Sequence, residues 1–147
     1  MNYKLLTVAT LAALSSCATP PKATVFKNSE TFSVTKDQAW EKLLAFFTSN
    51  NVQIKTIEKD SGVIYAERSG VDATYADCGQ GGLAVDVSRS GTLNVFVREV
   101  SAGKTQVTVN TDFKIMRQFD GQPIIGECKS TGSLERGILS GLGTPAT

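Results

Sequence analysis

The stretch KTQVTVNTDFKI, residues 104–115, carries the clearest structural signal in the chain, because its side chains alternate strictly between two faces. One face is largely apolar: Thr105, Val107, Val109, Thr111, Phe113, Ile115. The other is polar throughout: Gln106, Thr108, Asn110, Asp112, Lys114. A period of two is typical of a strand in a sheet with one dry face and one wet face. The dry face must then be covered by other elements of the fold.

Two amphipathic segments are the candidates for that cover. The first follows Thr35, whose spacing to Gln38 predicts a capping box, and ends at Asn50-Asn51. Its apolar stripe has helical spacing: Trp40, Leu43, Leu44, Phe47. The second precedes the C-terminus, with Ser130 or Thr131 as the predicted cap and Gly141 or Gly143 as the end. Its stripe is Leu134, Ile138, Leu139, Leu142.

The remaining apolar runs predict strands separated by two long polar loops. The predicted strands are 25–35 (best at 31–34), 52–58, 63–68, 83–90, 91–100 and 104–115, and the loops are 69–82 and 116–129. Asp60-Ser61-Gly62 supplies turn chemistry for a hairpin between the second and third strands. The sequence therefore predicts one α+β domain over 25–143. We expect a two-layer sandwich in which two amphipathic helices cover one face of an antiparallel sheet of about five to six strands.

The N-terminus has a different character from the domain. Lys4 precedes an apolar run, Leu5–Leu14, in which only two residues are polar. A helix of that length spans about 15 Å, roughly half the hydrocarbon core of a bilayer. The run therefore predicts a secretory signal peptide over 1–16 rather than a membrane-spanning anchor.

Leu14-Ser15-Ser16-Cys17 directly follows this run and resembles the lipobox of bacterial lipoproteins. The resemblance implies that the Cys17 thiol carries diacylglycerol, that the peptide is cut before Cys17, and that the new amine can be acylated, typically with palmitate. Residues 17–24 would then be a short lipidated tether, made extended by Pro20 and Pro21. Ala18 after the cysteine implies the outer membrane, facing the periplasm. The alternative is an ordinary signal peptide with an incidental cysteine.

Cys78 and Cys128 remain once Cys17 is assigned to lipid. An even number of cysteines in an oxidising compartment predicts a disulfide. It would close a long loop, for which chain entropy gives roughly 4 kcal/mol of stabilisation. A metal site or a catalytic cysteine is less well supported, because the chain contains no histidine.

Enzyme motifs are weak in this sequence. Without histidine there is no Ser-His-Asp triad, and the glycines of residues 79–82 lack the lysine and helix of a phosphate-binding loop. Two pairs of acidic residues lie in predicted loops or turns, Asp72 with Asp77 and Glu58 with Asp60, where exposed carboxylates are common. We therefore expect no catalysis, no cofactor and no metal. The net charge of +1, with no basic block, argues against nucleic acid as a partner.

The two cysteine-bearing loops carry the apolar residues best suited to contact: Tyr75, Phe119, Ile124, Ile125. Fastened together by a disulfide, they would lose little entropy on binding. The sequence thus predicts a non-catalytic binding or scaffold domain for an envelope protein partner. These residues can instead fill the rim of the sandwich. The alternative function is a small-molecule or lipid-binding module with a pocket between sheet and helix, behind Trp40 and Phe47.

The order of elements over Thr31–Leu142 also resembles that of helix-grip domains, in which a sheet curls around a C-terminal helix. It is similar to the domains of lipoprotein subunits of the outer-membrane β-barrel assembly machinery. The resemblance implies a related sheet-and-helix layout, and it rests on element order, without diagnostic residues.

Overall fold

The computed structural model describes residues 18–146, which form seven strands and two helices. Residues 1–17, with the predicted signal peptide and Cys17, lie outside the described part. The elements are, in chain order, β1 Ser29–Phe32, α1 Lys36–Ser49, β2 Gln53–Glu58, β3 Val63–Ser69, β4 Ala76–Asp77, β5 Val85–Ser101, β6 Lys104–Phe119, β7 Gln122–Ser130 and α2 Ser133–Gly141. The α+β class is confirmed, and the sheet is larger than the five to six strands predicted.

Strand β6 organises the sheet. On one side it pairs with β5 along almost its whole length, from Ser101 opposite Lys104 to Val85 opposite Gln118. On its other side, β1 pairs with the first part of β6 and β7 pairs with the last part. Strands β3 and β2 extend the sheet beyond β5, and β4 adds two residues beyond β7. All of these pairings are antiparallel.

The loop predicted over 116–129 is instead the end of β6, a tight turn and the whole of β7. The turn residues Asp120 and Gly121 both have positive φ, 48° and 74°. This is the left-handed conformation that two-residue hairpin turns favour. The prediction was wrong because these strand residues are exposed on both faces, so the apolar–polar alternation that marks a half-buried strand is absent.

Strand β5 is one continuous strand, where the sequence predicted two strands meeting at Ser90 and Gly91. Gly91 lies inside it, opposite Phe113. A Cβ atom at Gly91 would come within 2.8 Å of the Phe113 ring. The glycine therefore makes room for an aromatic side chain from the neighbouring strand, and it does not end the strand.

Helix α1 begins as predicted. Thr35 Oγ1 accepts a hydrogen bond from the Gln38 backbone N–H at 3.2 Å, and Gln38 Oε1 accepts one from the Thr35 N–H at 3.0 Å. Helix α2 begins differently, because its N-cap is Gly132, in the left-handed region and without a side-chain cap bond. Neither Ser130 nor Thr131 is the cap residue.

Both helices lie against the same face of the sheet, which we call the helix face. Each contacts β6, and the two contact one another. The core beneath them is built from the apolar stripes of the helices and the apolar face of the long strands, with Leu43, Phe47 and Val109 fully buried. The opposite face, called the open face, carries the polar residues of β6. No helix within residues 18–146 has the length and apolarity needed to cross a bilayer.

The adjacent phenylalanines of α1 test this packing. Phe47 is fully buried, whereas its neighbour Phe46 is only partly buried against the core. We expect Phe47→Ala to lower the free energy of unfolding by about 3–5 kcal/mol, through lost burial and a cavity, and Phe46→Ala to lower it clearly less. Denaturant unfolding followed by the fluorescence of Trp40, the only tryptophan, measures both. Equal losses for the two variants would contradict the placement of the core.

Candidate functional site

The predicted disulfide between Cys78 and Cys128 is confirmed, with the two Cα atoms 4.1 Å apart. Cys128 lies on β7 opposite Phe113, a core residue, so its side chain is on the helix face. The bond therefore holds residues 70–82, which we call the disulfide segment, against that face of the sheet. Tyr75 anchors the start of this segment, since its carbonyl accepts a hydrogen bond from the Thr131 N–H at 3.1 Å.

Arg117 fastens the other end of the disulfide segment. Its guanidinium donates to the carbonyl oxygens of Cys78 at 2.8 Å and Gly79 at 3.0 Å, and its Nε pairs with Asp86 Oδ1 at 2.8 Å. Asp86 also pairs with Arg89 at 2.7 Å. The Arg117 side chain is only 11% exposed, which strengthens these charge-assisted bonds relative to surface pairs. Arg117 thus connects the disulfide segment to both long central strands.

The N-terminal segment lies directly on the disulfide segment. Thr19 and Gln80 exchange two backbone hydrogen bonds, of 3.2 and 2.9 Å. Asp77 accepts the Gly79 N–H at 2.8 Å and the Lys22 N–H at 3.2 Å, and these two bonds, in that order, lower the pKa of its carboxyl. Within the predicted tether, residues 19–22 are therefore held against the domain.

Beyond the disulfide segment, the three long strands end in a surface that is mostly apolar. We call residues 83–88 and 116–125 the ribbon end. Seven of the eleven large apolar side chains exposed in the described chain lie here: Leu83, Val85, Val87, Met116, Phe119, Ile124 and Ile125. The most exposed of them are Ile125 at 72% and Leu83 at 71%. A concentration of this kind, unlike scattered apolar residues, marks an interaction surface.

Three of the four predicted contact residues belong to the ribbon end, namely Phe119, Ile124 and Ile125. Tyr75 does not belong to it, because it is half-buried and packs against the core. Its neighbour Ala76 pairs with Ser130, at the opposite end of β7 from the residue that pairs with Phe119. The eight residue steps between these two positions of β7, Gln122 and Ser130, span about 26 Å. The structure thus places Tyr75 and Phe119 far apart.

A polar cleft of about 590 Å³ lies across the open face of the sheet. Its charged lining residues are of both signs: Glu67, Arg68, Asp112, Lys114, Glu127, Lys129. This is not the position expected for a pocket, since Trp40 and Phe47 are 3% and 0% exposed and belong to the packed core. Any ligand of this cleft would lie on the side of the sheet away from both helices.

Two of the four acidic residues singled out from the sequence, Asp72 and Asp77, accept backbone hydrogen bonds. Besides the bonds of Asp77, Asp72 accepts the Thr74 N–H at 2.8 Å, which lowers the pKa of the Asp72 carboxyl. Both aspartates therefore shape the backbone of the disulfide segment. Within residues 18–146, His, Cys, Asp and Glu side chains form no group of three or more that could hold a metal ion.

Two parts of the site escaped the sequence analysis. Leu83, Val85 and Val87 fell in a short predicted strand, 83–90, and were not named among the contact residues. The glycines of residues 79–82 were assigned to a flexible loop. Gly79 has φ +61°, and a Cβ there would clash with the Thr19 carbonyl and come within 2.9 Å of Pro20. Gly79 was therefore the sequence feature that marked the docking of the N-terminal segment. It could not be recognised locally, because Thr19, which it contacts, lies 60 residues away in sequence.

No protein-family model matches this chain, and no curated protein matches it. The arrangement of the ribbon end, the disulfide segment and the N-terminal segment is therefore the basis on which a function is proposed.

The docked N-terminal segment can be tested at two glycines of the same loop. Gly79→Ala should release residues 18–22, because the added methyl group occupies the place of the Thr19 backbone. Gly70→Ala is the matched control, since Gly70 has a similar φ of +66° but nothing within 4 Å of the added atom. Losing two backbone hydrogen bonds should speed amide exchange at Gln80 roughly tenfold or more in the first variant only. Equal exchange in both variants would contradict the docking.

Proposed function

We propose that the chain is a bacterial lipoprotein, anchored to the outer membrane through lipid on Cys17 and facing the periplasm. Its α+β domain acts without catalysis, as a binding or scaffold domain for an envelope partner. The ribbon end is the contact surface, with Phe119, Ile124 and Ile125 among its residues. The sequence favours a protein as the partner of this surface.

This proposal rests on one observation: exposed apolar side chains are concentrated at the ribbon end, whose backbone is fixed by the rest of the fold. The ribbon end is fixed by antiparallel pairing of β5, β6 and β7, by the disulfide and by Arg117. A surface that is ordered before binding loses little conformational entropy in the complex. The hydrogen bonds of Thr19 to Gln80 support this proposal, because a lipid attached two positions earlier in the chain would lie near the same end of the domain.

The alternative function, a small-molecule or lipid-binding module, would use a different place from the one the sequence suggested. The polar cleft of the open face offers about 590 Å³ and charged groups of both signs. Such a lining suits a polar ligand better than a lipid. The finer resemblance to helix-grip domains of β-barrel assembly lipoproteins also remains part of the proposal, supported by a final helix that packs on the sheet.

Anchoring is tested at the proposed lipidation residue. We expect Cys17→Ser to abolish metabolic labelling with a palmitate analogue and to leave the uncut precursor, because serine lacks the thiol that carries the lipid. The wild-type protein, labelled in the same cells, is the control. A Cys17→Ser protein that is still cut and still labelled would overturn the lipoprotein assignment.

Contact through the ribbon end is tested with two exposed phenylalanines. Phe119 is 48% exposed at the ribbon end, and Phe96 is 43% exposed on β5 opposite Thr108, about 35 Å away along the sheet. Each change to serine should alter the free energy of unfolding by only about 0.5–1 kcal/mol. Phe119→Ser should reduce recovery of cross-linked envelope components, and Phe96→Ser should not. A large loss of stability in Phe119→Ser would show that this residue is packing rather than contact surface.

A further inference from the structure

The ribbon end is apolar on both of its faces. Residues that lie opposite one another in a sheet share a face. Met116 pairs with Ile125 on the open face, whereas Ile124 pairs with Arg117 on the helix face, where Phe119 also lies. A protein docked against one face would leave the exposed side chains of the other in water. A fluid lipid phase surrounds both faces at once, so this distribution favours a bilayer over a single protein surface.

The charges of the ribbon end are compatible with a position among lipid headgroups. Asp86 and Arg117 neutralise one another through their 2.8 Å ion pair. The remaining charge is Asp120, at the hairpin turn, which lies between two glutamines at positions 118 and 122. Without an excess of basic residues, attraction to the surface must come from the apolar side chains.

The edges of the ribbon end limit how deeply it can enter. Strand β3 pairs with β5 only as far as Ser90, and β4 pairs with β7 only at Lys129 and Ser130. Backbone groups along the outer edges of the ribbon end therefore have no partner strand in the described structure. Unpaired backbone groups are excluded from the hydrocarbon core. The side chains can reach about 5–10 Å past the headgroups, as apolar faces of interfacial helices do.

The N-terminal segment places the proposed anchor beside this surface. Thr19 is hydrogen-bonded to Gln80, and Leu83 of the ribbon end follows three residues later. Two residues of backbone separate Cys17 from Thr19 and reach at most about 7 Å, while the three from Gln80 to Leu83 reach about 10 Å. Lipid on Cys17 would therefore enter the membrane close to the exposed apolar side chains.

From these observations the geometry points to the bilayer itself, in place of the protein that the sequence favours, as the partner of the ribbon end. The ribbon end lies in the headgroup region of the membrane that holds the Cys17 lipid, as a second attachment that fixes the orientation of the domain. This inference rests on the proposed lipidation of Cys17. It leaves the polar cleft, and the part of the open face outside the ribbon end, exposed to the periplasm.

Two valines at opposite ends of β5 test it. Val85 is 68% exposed in the ribbon end, and Val100 is 45% exposed about 50 Å away along the strand. Val85→Cys and Val100→Cys are each labelled with an environment-sensitive fluorophore. The native Cys78 and Cys128 are protected by their disulfide. The purified lipidated protein is placed in phosphatidylethanolamine–phosphatidylglycerol vesicles with brominated acyl chains.

We expect quenching at position 85 to be at least about twofold stronger than at position 100, with a blue-shifted emission, because only the former reaches the acyl boundary. Ile125→Cys, on another strand, should behave like Val85→Cys, and Trp40 emission checks that each variant is folded. Lipid labelling of Cys17 is measured on the same preparations. Labelled protein with equal quenching at 85 and 100 overturns this inference alone and leaves a protein as the partner of the ribbon end. Unlabelled protein overturns the anchoring proposal and, with it, this inference.

Discussion

The length of β6 relative to the helices determines the rest of the structure. A strand of 16 residues extends about 50 Å, whereas α1 with 14 residues and α2 with nine extend about 21 and 14 Å. Two helices of this size can bury only part of one face of the sheet. The disulfide segment covers the next part, fastened by Cys78 and Arg117. On the helix face the ribbon end remains uncovered, which leaves Phe119 and Ile124 exposed there.

Local sequence patterns predicted the elements that are stabilised by interactions between residues a few positions apart. The capping box of Thr35 and Gln38, the apolar stripe of α1 and the hairpin turn at Gly62 needed no knowledge of the tertiary structure. The disulfide followed from the number of cysteines and the predicted compartment. The hairpin of β6 and β7 was missed, because its exposed strands lack alternation and one of them contains Pro123 and Gly126, which are unusual within strands. Its best local signal was Asp120-Gly121, a favourable pair for a two-residue turn.

The candidate site was only partly accessible from sequence for a different reason. Phe119, Ile124 and Ile125 could be singled out from the sequence, because large apolar residues in a polar segment are candidates for a contact surface. Val85 did not stand out, since its exposure follows from its position opposite Gln118 on the open face, which local residue patterns do not reveal. The position of Thr19 on Gln80 was inaccessible too, because it depends on a loop shaped by a disulfide and by Arg117. Such long-range packing leaves little trace in local residue patterns.

The hydrogen bonds that hold Thr19 and Lys22 also change how a tethered domain explores space. With residues 18–28 free, 11 residues of chain would let the domain sweep a hemisphere with a radius of about 35 Å around its anchor. Held on Gln80 and Asp77, most of that contour length is removed. For an anchored chain, the volume available to any group near the anchor contracts, and its effective concentration at the membrane surface rises accordingly. In this way a few hydrogen bonds would shorten the flexible part of the tether. Weak contacts between the membrane and groups near the anchor would then form more often.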